Sequence, residues 1–129
     1  MRYNGTSRME RDFDLVRLIL KDIQAMPAGE SYTRIDHLSG YDSATVFAHV
    51  DLLLNAGLIK GRVLKLMHGI GGINVSGLTW EGYDFLDAAK DETLWTKAKE
   101  RLIKPGVSIT FDILLNWLKH EATTKIGLP

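Results

Sequence analysis

Residues 42–78 constrain this chain more than any other stretch, because a helical pattern there runs into a strand pattern with no linker between them. Asp42 or Ser43 supplies a side-chain oxygen suited to capping the helix. Val46, Val50, Leu53 and Leu54 follow at i, i+4, i+7 and i+8, the stripe of a helix lying on a core. Asn55-Ala56-Gly57 closes it, with Gly57 suited to the left-handed position after the cap. Residues 58–66 then read as a strand interrupted by Gly61, and Gly69, Gly71 and Gly72 read as a flexible tip. Residues 73–78 return as a second strand, so the pattern predicts a β-hairpin over 58–78.

Helical patterns flank this unit. Between residues 10 and 26, Phe13, Val16, Ile19, Leu20 and Ile23 recur at helical spacing, with Glu10, Asp12 and Asp14 in the first turns. Pro27 and Gly29 stop that helix. Residues 30–42 favour a short strand or irregular segment around Tyr32, Thr33 and Ile35 over a short helical turn from Ile35 to Leu38, and Gly40 ends either one. After the hairpin, Thr79 is the expected cap of a helix with Tyr83, Leu86 and Ala89 inward. Further helices are expected at 93–103 and 108–123, separated by Pro105-Gly106, with Ser108 as a cap. Residues 1–8, with their Asn4-Gly5 turn signal, read as a disordered extension, and Met9 as an alternative start. The expectation is a single domain over 9–129, with a core at 9–80 and added C-terminal helices at 81–129.

Composition removes several function classes. Sixteen basic and sixteen acidic side chains cancel, so no overall field draws the chain to nucleic acid or anionic lipid. The chain has no cysteine, which excludes disulfides, zinc ribbons and thiol catalysis and fits a cytoplasmic location. Apolar runs such as Leu52-Leu53-Leu54 fall far short of the roughly 18 residues of a membrane span. His37, His49, His68 and His120 are scattered without metal-ligand spacing, and no GxSxG elbow occurs. The chain is therefore not expected to be an enzyme, and no cofactor, metal or small-molecule ligand is inferred.

A helix, a short segment, a capped helix ending in Gly-Leu-Ile and a glycine-tipped hairpin make up the order of a winged helix-turn-helix. The expected fold class is mainly α (α+β), with a two-stranded wing and additional C-terminal helices. The stretch from Ser43 to Ile59 resembles the recognition helix of MarR-like and ArsR-like bacterial regulators, and Leu78-Thr79-Trp80-Glu81-Gly82 resembles the start of their next helix. Over residues 9–128 the chain more closely resembles an uncharacterised family of bacterial and prophage proteins. The residues that carry this are Met9-Glu10-Arg11-Asp12-Phe13-Asp14-Leu15 and Leu78-Thr79-Trp80-Glu81-Gly82 with Phe85-Leu86-Asp87. The resemblance implies a fold and a family, and no activity.

The candidate chemistry is duplex DNA binding by a small transcriptional regulator. On the 43–56 helix, Ser43, Thr45 and His49, with Phe47 beside them, would face the groove. No Arg, Lys or Gln lies between 43 and 59, so the usual bidentate base readouts are missing there. Lys60, Arg62 and Lys65 on the wing, with His68 at its tip, would contact phosphate. The same strand cations would also serve simply to keep an edge soluble. The glycines of the tip are followed by a strand, not a helix, and so do not form a phosphate cradle.

Charge is segregated after the wing, with five acids against Lys90 in 81–92 and four bases against Glu100 in 93–104. Leu94, Trp95, Ala98 and Leu102, with Ile113, Leu114, Trp117 and Leu118, form two apolar helical faces. They suit either a homodimer through the C-terminal helices or packing within the chain. The alternative function is a protein–protein interaction module on the same scaffold, without DNA readout.

Overall fold

A computed structural model describes residues 11–31, 40–67, 69–103 and 109–125. Among the described residues the fold is mainly helical, with five helices and a two-stranded antiparallel sheet, an α+β arrangement. The order is α1 (Phe13–Gln24), α2 (Ser43–Asn55), β1 (Ile59–Leu66), β2 (Gly69–Leu78), α3 (Trp80–Ala89), α4 (Glu92–Arg101) and α5 (Phe111–Lys125). The chain forms two compact units, Met1–Thr79 and Trp80–Pro129, which are described in turn. Expectations for residues 1–10, for most of 30–42, and for Ser108 as a cap fall outside the described residues.

In the first unit, α1 begins where the Asp12 carboxylate accepts the Leu15 N–H at 3.1 Å. The five residues expected to face inward, Phe13, Val16, Ile19, Leu20 and Ile23, are all buried, and Leu15 joins them. Asp42, rather than Ser43, caps α2, accepting the Thr45 N–H at 2.8 Å. At its far end Leu58 N–H donates to the Leu53 carbonyl at 3.0 Å and Gly57 N–H to the Leu54 carbonyl at 3.1 Å. This paired closure needs a left-handed residue after the cap, and Gly57 supplies it at φ 77°. The turn feeds the chain directly into β1.

The hairpin is tied to the end of α2 at its base. Thr79 N–H donates to the Leu58 carbonyl at 3.0 Å, and the Thr79 hydroxyl to the Gly57 carbonyl at 2.5 Å. Ile59, Ile73, Val75 and Leu78 turn inward to join Val46, Val50 and Leu53 of α2 in the core. One expectation is corrected here. Gly69 and Gly72 are not a loose tip: β2 starts at Gly69, with Gly69 paired to Leu66 and Gly72 to Leu64. A glycine can sit opposite a large residue in a ladder without ending it, so a glycine run alone does not locate the turn.

The second unit is built on aromatics. Phe85 is fully buried, stacked at a tilt on Phe111 (4.8 Å between centroids) and edge-on to Trp95 (6.4 Å). Leu86, Leu94, Ala98, Leu114 and Leu118 complete this core. The faces open to either dimerisation or internal packing are thus largely consumed inside the unit, while Ile113 stays exposed. Tyr83 is corrected from inward to exposed, because α3 turns Gly82, Phe85, Leu86 and Ala89 to the core, one position round the helix. The Thr110 hydroxyl opens α5 by accepting the Ile113 N–H at 3.1 Å. Of the segregated charges, Asp84 of α3 pairs with Lys119 of α5 at 4.0 Å and Asp87 with Lys90 at 3.6 Å. No helix among the described residues is long and apolar enough to cross a membrane.

Candidate nucleic-acid interface

Strand geometry sorts the hairpin into two faces, since successive side chains point to opposite sides. On β1 the inward positions are Ile59 and, half-buried, Val63, and the outward ones are Lys60, Arg62 and Leu64. On β2, Asn74 and Ser76 point outward with them. Cross-strand pairing sets Arg62 opposite Asn74, Lys60 opposite Gly77 and Leu64 opposite Gly72. On this face long side chains on one strand therefore face smaller ones on the other, and the Lys60 Cε lies 4.0 Å from where a Cβ on Gly77 would sit. The register shifts between Lys60 and Gly61, which lets Val75 and Leu78 both point inward although they are three residues apart.

Gly61 makes this bulge possible. Its φ is 152°, and a Cβ there would fall on the Asn74 carbonyl oxygen and within 2.7 Å of the Val75 Cα. The outcome is an exposed face bearing Lys60, Arg62, Asn74 and Ser76, in a stretch with no carboxylate between Asp51 and Glu81. The Ser76 hydroxyl lies 3.4 Å from the Lys60 carbonyl, to which it donates. Lys65 continues the strand through its backbone pairing with Ile70. Its side chain and His68 lie outside the described residues.

Helix α2 is disposed differently. Ser43 is exposed and Thr45 half-buried at its N-terminal end, with Phe47 half-buried beside them. His49 is corrected: it is fully buried, not presented to a groove. Its Nε2 accepts the backbone N–H of Asp12 at 2.9 Å, and its Nδ1 lies 2.9 Å from the Thr45 carbonyl. An amide can only donate, so Nε2 carries the lone pair and Nδ1 the proton given to Thr45. Nε2 thus ties the start of α1 to α2, while Nδ1 is spent on the preceding turn of α2 itself. The signal was in the spacing: His49 lies three residues after buried Val46 and four before buried Leu53, squarely on the core stripe.

Tyr41 extends this junction. Burial raises its phenol above the ordinary tyrosine value, the negative charges of Asp12 and Asp14 add to that, and so does its hydrogen bond to Asp12. Asp12 thus caps α1, meets Tyr41 with its side chain and satisfies His49 with its amide. At the cap of α2, hydrogen bonds from the Thr45 side chain and backbone hold the Asp42 carboxyl below its ordinary value. Among the described residues there is no group of three or more His, Asp or Glu placed to hold a metal ion.

A family model described as "Hypothetical protein (DUF2513)" matches residues 10–108. The chain belongs to this family. The DUF2513 match takes in both capped helices of the first unit, the whole hairpin, and α3 and α4. An uncharacterized protein of Haemophilus influenzae is 31% identical over 119 residues, covering 92% of this chain and 97% of the relative. That likeness therefore extends over both units. No solved structure matches the chain.

Proposed function

We propose that this DUF2513 protein binds duplex DNA through the outward face of its hairpin and acts as a small transcriptional regulator. The observation that carries the reading is the one-sided chemistry of β1 and β2: Lys60 and Arg62 exposed together, Asn74 and Ser76 beside them, and no acid nearby in the sequence. Cations arranged this way neutralise phosphates and release the counterions condensed on them. The Asn74 amide among them adds a hydrogen-bond donor for phosphate oxygens. Lys65 is the third phosphate contact in this reading, and Ser43 and Thr45 at the start of α2 are the groove contacts. The likeness of residues 43–59 to the recognition helix of MarR-like and ArsR-like winged-helix regulators supports the same assignment. His49 takes no part, because its ring is committed inside the fold.

The contact is dominated by phosphate rather than by base edges. Helix α2 offers only Ser43, Thr45 and Asn55 as outward hydrogen-bonding groups apart from the half-buried Asp51, whose charge repels phosphate. Titrating the purified protein against a labelled random duplex by fluorescence anisotropy, at roughly 50 mM and 200 mM salt, tests this. Saturable binding that weakens steeply with salt is the expected result. A folded protein with no binding at the lower salt would overturn it. That outcome would favour a protein-interaction module, the reading supported by the exposed Leu52 on an α2 that has no lysine or arginine.

A further inference from the structure

The far end of the hairpin is chemically unlike its base. Leu64 is 60% exposed and Met67 is 97% exposed, two large apolar side chains at the end of the sheet away from Thr79. Leu64 lies on the same outward face as Lys60 and Arg62, and its cross-strand partner is Gly72, which has no side chain to cover it. A hairpin meant only to remain soluble would carry charge at such positions. Lys60 and Arg62 sit behind the apolar end, four and two residues back along β1 from Leu64, and Lys65 follows Leu64 directly in the sequence.

We infer that Leu64 and Met67 form an apolar wedge that enters the minor groove of duplex DNA and kinks it, while Lys60 and Arg62 hold the flanking phosphates. The inference rests on the nucleic-acid reading above and adds to it a mode of binding. Charge complementarity identifies the occupant: the wedge is backed by Lys60 and Arg62 in a stretch whose sequence has no carboxylate between Asp51 and Glu81, which suits an anionic polymer. Leucine and methionine are side-chain types that insert between base steps, and the unstacking they cause is offset by contacts that the bend allows. A lipid surface is the weaker match. Two side chains are a smaller apolar payload than a single acyl chain, which alone binds membranes only marginally. The wedge also gives the protein a way to discriminate sequences despite the sparse hydrogen-bonding groups of α2. Flexible pyrimidine–purine steps kink easily and stiff A-tracts do not, so a TA step is favoured without any base-edge contact.

The test uses the full chain and two duplexes of about 30 base pairs, one with a central TA step and one with a central A-tract, each carrying a donor and acceptor dye at its ends. Wild type should shorten the end-to-end distance of the TA duplex and bind it about ten-fold tighter than the A-tract duplex. The Leu64→Ser/Met67→Ser double variant should lose the bend and the preference while keeping the same salt dependence. Both positions are exposed, and Met67→Ser alone, at the more exposed of the two, gives the same reading should the double variant not fold. Binding and bending equal to wild type in these variants would overturn the wedge and leave phosphate binding standing. Absence of duplex binding by wild type would overturn the nucleic-acid reading itself. Binding to phosphatidylserine vesicles but not to duplex would reassign the apolar end to a membrane surface.

Discussion

Helix α2 and the hairpin that follows it share a core, yet they spend their polar side chains in opposite directions. The helix turns its histidine inward, where Nε2 joins it to the start of α1 and Nδ1 to its own preceding turn, and outside it keeps short hydroxyl and amide groups with the half-buried Asp51. The hairpin turns every charged side chain described on it outward and nothing but hydrocarbon inward. The difference follows from period. A helix spreads its inward positions over three- and four-residue steps, so a polar residue falls into the core stripe unless the sequence avoids it. A two-residue alternation separates the faces cleanly, and the bulge at Gly61, one of two register shifts in the hairpin, preserves that separation at its base. The element with recognition-helix resemblance thus carries much of the architecture, and the hairpin carries the exposed chemistry.

Disturbing the bulge should have the largest effect. Gly61→Val puts a branched side chain at a φ of 152° and onto the backbone of Asn74 and Val75, and should cost about 3 kcal/mol or more. Chemical denaturation would read the loss, and nucleic-acid binding should fall with it because the cationic face depends on the register. A variant as stable as wild type would mean that the two faces do not depend on the bulge. Next comes the helix side of the comparison. His49→Ala empties a buried site and leaves the Asp12 amide unsatisfied, for a loss of about 2–4 kcal/mol. At a temperature where this variant remains folded, its salt dependence of DNA binding should equal that of wild type. A histidine that contacted DNA would give the reverse: little change in stability and weaker binding.

Smaller effects separate the ends of α2. Asp42→Ala removes the cap and should lower the melting temperature modestly. The sign with pH is fixed by the direction of the shift. A carboxyl held below its ordinary value contributes stability at neutral pH and loses it as pH falls through that lowered value, so the gap between wild type and Asp42→Ala should close in acid. Thr45→Ala should have the least effect on overall affinity, and should appear as reduced discrimination between duplexes in competition binding. Uniform weakening across all sequences would instead assign Thr45 to phosphate.

Element positions were legible where local chemistry and periodicity agreed. The α1 stripe, the Gly57 closure and the hairpin all follow from side-chain spacing and the conformational demands of one glycine. Three details depend on tertiary contacts and were not readable locally. The hairpin turn lies nearer Met67 than the glycines indicated, because Gly69 and Gly72 can pair with large partners. Tyr83 is displaced from the core by the stripe through Gly82, Phe85, Leu86 and Ala89. His49 reaches Asp12, thirty-seven residues away, a partner that no local pattern could identify. Of the candidate interface, Lys60 and Arg62 were legible as strand cations, whereas their companions Asn74 and Ser76 needed the register to be seen.

The most direct measurement is the dependence of duplex affinity on salt for wild type and for Lys60→Ala/Arg62→Ala. Removing one phosphate-binding cation should lower the slope of log affinity against log salt by about one. The slope should be smaller by about two in the double variant, with thermal stability essentially unchanged because both side chains are exposed. Equal slopes for the two proteins would contradict the assignment of the hairpin face to phosphate.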